Sequence, residues 1–197
     1  WQRDAALSYT AAEAPTNVAG VGKVLHLTPH DASACIALAR EARRLGTIVS
    51  TDIDNIFDGM YDLLPLVDVL IMSRDIPERL TGQADTREAL ATLSKEYDCG
   101  VVGATLGDSG SMLYCQGEFI ETKGFAVPGG CKDTTGAGDA FRVGLLYGML
   151  NGQTVEESAL SANAVAALKC RAVGARTALP DTAGLKTFLK NSGLEEQ

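Results

Sequence analysis

The sequence predicts an α/β fold in which a mostly parallel central sheet is covered by helices on both faces, a three-layer α/β/α arrangement. Before Thr105, short runs rich in β-branched residues alternate four times with helical stretches, and this alternation builds a parallel sheet. After Thr105 the pattern changes to a β-hairpin, a glycine-rich loop and long helices. We find no internal repeat, low-complexity tract or linker, so residues 1–197 are expected to form a single α/β domain.

The first predicted strand is the apolar run Val24–Leu27, which we expect to be buried. Asp31 is the expected N-cap of the helix that follows, and Gly46 is the residue expected to end it. The predicted elements up to Thr105 are a helix from Ala32 to Leu45, a strand from Thr47 to Ile53, a short helix from Ile56 to Leu66, a strand from Val67 to Met72, a helix from Asp75 to Leu80, a helix from Thr86 to Tyr97 and a strand from Gly100 to Thr105.

The second half of the chain opens with a hairpin, because Gln116-Gly117 separates two short β-rich runs and is typical of a tight turn. The hairpin strands are predicted at Ser111–Cys115 and Glu118–Thr122. Three helices follow, with apolar residues at helical spacing. They are predicted over Ala137 to Leu150, Val155 to Lys169 and Thr182 to Lys190.

Composition excludes several classes of function. The formal net charge is −8, which argues against a nucleic-acid partner, whereas a nucleotide stays compatible because a few local donors bind a phosphate. No apolar run reaches the roughly 20 residues of a membrane span, so we expect no membrane partner. Five cysteines without a CxxC pair favour a reduced, cytoplasmic protein. His26 and His30, the two histidines, are interpreted as structural.

The stretch with the most chemical information is the glycine-rich loop before the helix that starts at Ala137. Small residues at 136–138 let the backbone approach a ligand closely, and the N–H groups and dipole of a helix N-terminus favour an anion such as a phosphate. Asp139 lies in that first turn. It either stabilises the helix start as a charged capping residue or acts as a general base during phosphoryl transfer.

The nine residues Asp133-Thr-Thr-Gly-Ala-Gly-Asp-Ala-Phe141 closely resemble the carboxy-terminal signature of the ribokinase-like (PfkB-type) carbohydrate kinases. They are neither a Walker A loop nor a dinucleotide fingerprint. Taken alone, the Thr105–Gly110 turn would be a plain glycine turn, and Asn163 would be a surface residue. Further segments that match the family in order and spacing are Leu80-Thr81-Gly82, Thr105–Gly110, Asn163, Val173-Gly174-Ala175 and Leu179-Pro180.

The resemblance implies a role for each matching residue. Asp139 is implied to deprotonate the acceptor hydroxyl. The implied donors of the anion hole are the backbone N–H groups of Gly136, Ala137 and Gly138. The implied nucleotide site is lined by Thr105, Gly107 and Gly110, with Asn163 near the base.

Cofactors also follow from the resemblance. ATP is implied, with Mg²⁺ to neutralise the developing charge. Many family members also hold a monovalent cation such as K⁺ beside the anion hole. The matching positions here include Asp133 and Thr135, with carbonyl groups around Cys170 and Val173. Asp133 is alternatively a turn carboxylate with no cation.

Two features depart from the family. Its Asn-x-x-Glu element is replaced by Ser73-Arg74-Asp75-Ile76. The amino-terminal part, which in the family carries the first strands, a glycine-glycine signature, the lid and most sugar contacts, is absent from this sequence, so we expect the carboxy-terminal portion of a kinase.

The function implied by the resemblance is transfer of the γ-phosphoryl group of ATP to a hydroxyl of a sugar or a sugar-like small molecule. The alternatives are a catalytically inactive nucleotide-binding module of the same fold and a flavodoxin-like small-molecule binding domain. The acceptor is not identified by the sequence. A homodimer is compatible with the resemblance, although the lid that often mediates family dimers is absent.

Overall fold

The computed structural model describes residues 8–193, in which six β-strands form one mostly parallel sheet flanked by helices. The predicted α/β/α fold class is therefore confirmed. The strands are β1 (Val24–Leu27), β2 (Ile48–Ile53), β3 (Val69–Ser73), β4 (Val101–Thr105), β5 (Ser111–Cys115) and β6 (Glu118–Thr122), and they are ordered β1-β2-β3-β4-β5-β6. The α-helices are α1 (Ala32–Arg44), α2 (Ile76–Thr81), α3 (Thr86–Tyr97), α4 (Ala137–Leu150), α5 (Val155–Lys169) and α6 (Thr182–Asn191).

The chain divides into two compact units. The first comprises the residues up to Ala104 together with Tyr114–Glu118, and the second comprises Thr105–Leu113 together with the residues from Phe119 onward. The single domain expected from the sequence stays a prediction. No helix among residues 8–193 is long and apolar enough to cross a membrane.

In the first unit, β1 pairs in parallel with β2, and β2 in parallel with β3. The apolar run of β3 is buried from Val69 to Met72, as expected for a strand covered on both faces. The expectation that β1 is buried holds only for Leu27, since His26 is exposed. The ring of His26 contacts Ser50 and Asp52 on β2, which agrees with a structural role.

One prediction in the first unit is wrong. Ile56–Leu66 is not an α-helix but contains two 3₁₀ turns, at Met60–Asp62 and Leu64–Leu66. Gly59 before the first turn has a left-handed backbone (φ 76°), and Pro65 in the second has no N–H to extend a helical ladder. The expected N-cap position of Asp31 is confirmed, and its side chain makes no capping hydrogen bond there.

In the second unit, α4 and α5 pack at close range because glycines of α4 face small residues of α5. A Cβ atom added at Gly144 would lie 2.7 Å from the Cα of Ala162, and one added at Gly148 would lie 2.8 Å from the Cα of Ser158. Contacts this short leave no room for a side chain. The close packing at these glycines therefore fixes the position of α4 along α5, including the position of the first turn of α4.

Candidate active site

A cavity of about 260 Å³ lies within the second unit, next to the turn after β4, the segment after β6, the start of α4 and one side of α5. This volume is near the lower end of the range for small-molecule sites. Thr105, Gly107, Gly110 and Asn163, which the sequence analysis assigned to one nucleotide site, all line this cavity. The structure thus brings together four residues that span 58 positions of the sequence, from 105 to 163.

The turn between β4 and β5 requires glycine at its end. Gly110 has a φ of 102°, and a Cβ atom at this position would collide with the carbonyl oxygen of Thr122. The N–H of Leu106 donates to the carbonyl oxygen of Gly110 at 2.7 Å and closes the turn. The same segment of backbone therefore forms the turn before the hairpin and part of the cavity wall.

Asn163 is buried in the middle of α5, with 6% of its surface exposed, so the surface position expected for an isolated helix asparagine is wrong. Its amide nitrogen Nδ2 lies within hydrogen-bond distance of Ser111 Oγ (2.9 Å), Thr122 Oγ1 (2.7 Å) and the carbonyl oxygen of Ala159 (3.1 Å). These bonds link α5 to the hairpin. Because Nδ2 is occupied in this way, the oxygen Oδ1 is the atom of Asn163 left to accept from a ligand.

The start of α4 has a glycine in the left-handed backbone conformation, and only some of its backbone N–H groups donate to other groups of the protein. Gly136, the N-cap, has a φ of 77°, and a Cβ atom there would lie 2.9 Å from the Cβ of Ala175. The N–H of Ala137 donates to the carbonyl oxygen of Thr134 at 3.0 Å, and its role in the anion hole stays a prediction. Within residues 8–193, the N–H groups of Gly136 and Gly138 donate to no other group.

Asp139 follows Gly138, a cavity-lining residue, and its side chain is 78% exposed. The guanidinium group of Arg142, one turn later, donates to Asp139 Oδ1 at 3.1 Å. The Arg142 side chain is only 7% exposed. The carboxylate is thus held by a buried cation at the positive end of α4 while its surface stays open to solvent.

Asp133 closes the loop before α4. Its carboxylate accepts the N–H groups of Thr135 at 2.9 Å and Gly174 at 2.8 Å. These bonds, together with the neighbouring cation Lys169, lower the pKa of Asp133 from 3.8 to about 2. Asp133 therefore has the geometry of a turn carboxylate, which the sequence analysis gave as the alternative to a cation ligand.

Lys169 is the residue of this site that sequence reasoning missed. It is fully buried, and its ammonium nitrogen Nζ donates to the carbonyl oxygen of Asp133 at 2.7 Å. Nζ also lies 3.9 Å from Asp133 Oδ2. A signal was available, because Lys169 interrupts the otherwise apolar run Ala164–Cys170 at the end of α5.

The cavity is also lined by residues to which the sequence analysis assigned no contact with a nucleotide. Phe125, Phe141 and Cys170 make much of the wall apolar, whereas Cys131 and Asp108 add exposed polar groups. Burial raises the pKa of the Cys170 thiol. Among residues 8–193 no group of three or more His, Cys, Asp or Glu side chains is arranged to hold a metal ion.

The chain matches a known protein family over most of its length. The pattern of the pfkB family carbohydrate kinases matches residues 4–182. The nucleoside kinase of Methanothermobacter thermautotrophicus is 30% identical over 206 residues, and the match covers 97% of this chain and 62% of that protein.

Solved structures agree with this match at the level of the fold. The apo form of a ribokinase II from E. coli superposes with a TM-score of 0.83 at 20% identity, covering 93% of this chain and 64% of that one. A double mutant of fructokinase from Vibrio cholerae O395, bound to fructose, ADP and a potassium ion, superposes with a TM-score of 0.74 at 28% identity. This second match covers 85% of our chain and 60% of the fructokinase. The chain thus spans less than two thirds of the length of each of these three relatives.

Proposed function

Because this chain belongs to the PfkB family of carbohydrate kinases, we propose that it carries the nucleotide site and the catalytic base of an ATP-dependent kinase. The whole protein would transfer the γ-phosphoryl group of ATP to a hydroxyl of a sugar or a sugar-like small molecule. The chemistry would be a phosphoryl transfer in which positioning and charge stabilisation supply most of the catalysis.

The observation that carries this proposal is the cavity that adjoins the start of α4. Residues that the family resemblance assigns to a nucleotide site line it, and two N–H groups at the start of α4 have no other partner within residues 8–193. A phosphate fits such a helix start because both the donors and the helix dipole favour an anion. The ADP that occupies the related fructokinase supports a nucleotide as the ligand.

Each part of the site would contact a different part of the substrates. The turn from Thr105 to Gly110 and the oxygen Oδ1 of Asn163 would hold the nucleoside part, with Oδ1 accepting from a donor such as an exocyclic amine. The N–H groups of Gly136 and Gly138 would bind the phosphoryl group in transfer. Asp139, oriented by Arg142, would accept the proton of the attacking hydroxyl.

Mg²⁺ fits this arrangement as a companion of the nucleotide. It commonly binds through substrate phosphates and one or two carboxylates rather than through a cage of protein ligands. Asp75, which occupies the place of the family's Asn-x-x-Glu element, pairs with Arg79 at 3.2 Å, and we assign it no role. When bound, Mg²⁺ would neutralise charge on the phosphates.

Asp139→Asn in the natural full-length protein tests the proposal. It removes the base but keeps a side chain of similar size, so we expect kcat to fall by about 100-fold or more while ADP binding, measured by titration calorimetry with Mg²⁺, stays close to wild type. Asp181→Asn is the matched control. Asp181 caps α6, and asparagine caps a helix as well as aspartate does.

The acceptor class is identified in the same assay by a panel of sugars, phosphosugars, keto-deoxy acids and nucleosides. Turnover of Asp139→Asn at the wild-type rate would remove Asp139 from the mechanism. Nucleotide binding without turnover of any acceptor would favour the alternative of an inactive nucleotide-binding module. A folded protein that binds neither ADP nor ATP would refute the proposed function as a whole.

A further inference from the structure

The fully buried ammonium group of Lys169 occupies the neighbourhood to which the family resemblance assigns a monovalent cation. That assignment rests on Asp133 and Thr135 with carbonyl groups around Cys170 and Val173. A cation such as K⁺ needs several oxygen ligands and a local excess of negative charge. The contacts of Asp133, Cys170 and Lys169 show whether these conditions are met.

The oxygen atoms of Asp133 and the carbonyl oxygen of Cys170 already accept hydrogen bonds from the protein. Both carboxylate oxygens of Asp133 accept backbone N–H groups, Oδ1 from Thr135 and Oδ2 from Gly174. The carbonyl oxygen of Cys170 accepts the N–H groups of Lys132 at 2.8 Å and Asp133 at 3.4 Å. The oxygen atoms of Asp133 and Cys170 are therefore engaged in holding the loop together.

The charges around Asp133 also argue against a monovalent cation at this place. Asp133 supplies one negative charge, and Lys169 Nζ supplies one positive charge 3.9 Å from Oδ2 while it donates to the Asp133 carbonyl oxygen at 2.7 Å. A distance of 2.7 Å is typical of a charge-assisted hydrogen bond. A second cation beside Asp133 would face the buried ammonium group and be repelled by it. The residues present do not fit an additional monovalent cation.

We propose that the Lys169 ammonium group serves as a built-in monovalent cation, so that this kinase binds its nucleotide without requiring K⁺. The bond to the Asp133 carbonyl connects the end of α5 with the loop that leads into Gly136 and the start of α4. Lys169 is therefore a positioning residue, which acts on the nucleotide through the shape and charge of that loop. The part of the proposal that concerns nucleotide binding rests on the proposed function.

The first test compares wild-type full-length protein in KCl and in tetramethylammonium chloride at equal ionic strength. The tetramethylammonium ion is too large for a coordination site, so it serves as an inert cation. We expect the same affinity for ADP with Mg²⁺ and the same thermal midpoint in both salts. An affinity higher in KCl by about fivefold or more, or a midpoint that rises with KCl concentration as binding to the native state requires, would overturn the proposal.

The second test removes the ammonium group and keeps most of the aliphatic stem, through Lys169→Met. We expect weaker ADP binding in tetramethylammonium chloride and partial recovery in KCl or NH₄Cl, because a small cation then enters the vacated place. Lys186→Met, on the exposed side of α6, removes the same charge elsewhere and should show neither effect. ADP binding by Lys169→Met at the wild-type level in every salt would contradict the proposal.

If Lys169→Met does not fold, Lys169→Arg keeps the charge and Lys169→Gln keeps the capacity to donate. We expect only the arginine variant to bind ADP independently of K⁺. The thermal midpoint needs no nucleotide, so it decides the cation question even if the protein binds no ADP at all. A failure of the proposed function is therefore distinguished from a failure of this inference.

Discussion

The guanidinium group of Arg142 donates to the carboxylate of Asp139 at 3.1 Å, across one turn of α4. The two side chains differ in environment, since Arg142 is 7% exposed and Asp139 is 78% exposed. A buried, fixed cation thus orients an exposed carboxylate that stands beside the candidate phosphate site. A Cβ atom at Gly138 would lie 3.1 Å from Arg142 Nη1. A side chain at this position would therefore crowd the guanidinium group that holds Asp139.

Arg142→Gln should lower kcat by about 10-fold to 100-fold, because misplacing a catalytic group by even an ångström has effects of that size. The KM for ATP should change little, since Arg142 acts through Asp139. The measurement is steady-state kinetics in wild type and in Asp139→Asn. In the second background the effect of Arg142→Gln should be much smaller, and equal losses in both backgrounds would show that the pair does not act as a unit.

Gly144→Ala should destabilise the protein by about 1–3 kcal/mol, because the added methyl group would be forced against the backbone of α5. Val143→Ala is the control on the same helix. Val143 is 62% exposed, so its truncation should stay within about 0.5 kcal/mol. Urea unfolding compares the two variants, and a similar loss for both would mean that α4 and α5 separate easily.

Thr154→Ala should lower the free energy of unfolding by about 1 kcal/mol through loss of the α5 N-cap. The Thr154 hydroxyl accepts the N–H of Glu157 at 3.2 Å, and Glu157 Oε2 accepts the N–H of Thr154 at 2.7 Å. Thr154→Ser keeps the hydroxyl and should remain near wild type. Urea midpoints for the three proteins provide the check, and equal losses for alanine and serine would mean that the threonine methyl group matters more than the cap.

Acid should destabilise the loop before α4 within a defined pH window. The backbone N–H groups of Thr135 and Gly174, with Lys169, lower the pKa of Asp133 in the folded protein to about 2 from its ordinary 3.8. The stabilisation is complete above about pH 5, where the carboxylate is ionised in both states. It is lost as the pH falls toward 2, since the unfolded chain takes up the proton first.

Asp133→Asn removes this titration, so urea midpoints of the variant should depend less on pH between about 5 and 2 than those of wild type. Asp85→Asn, at the N-cap of α3, is a control that keeps a capping side chain outside this loop. Parallel curves for wild type and Asp133→Asn would show that Asp133 is not tied to the folded state in this way.

The cysteines should differ in reactivity toward iodoacetamide at pH 8. Cys99 is buried, and burial, followed by the charges of Asp68 and Asp98, raises the pKa of its thiol to about 12. We expect Cys99 to react only after unfolding, whereas Cys131 is exposed and should react in the native protein. Because Cys131 also lines the cavity, ADP with Mg²⁺ should slow its alkylation, as mapped by mass spectrometry, and no protection would place the nucleotide elsewhere.

The sequence by itself determined the elements whose signals are local. The bounds of α3, α4, α5 and both hairpin strands agree with the prediction, because caps, apolar periodicity and two-residue turns are encoded within a few neighbouring residues. The glycine-rich signature likewise placed Gly136, Gly138 and Asp139 at the start of a helix. Such features need no knowledge of the rest of the fold.

Tertiary structure alone decided which polar groups are buried and what they contact. Asn163 is buried because its partners Ser111 and Thr122 lie 52 and 41 positions away. Lys169 meets the backbone of Asp133 across 36 positions, and the turns in Ile56–Leu66 replaced the predicted helix. Local sequence fixes backbone preferences, whereas burial and the pairing of charges depend on segments that only folding brings together.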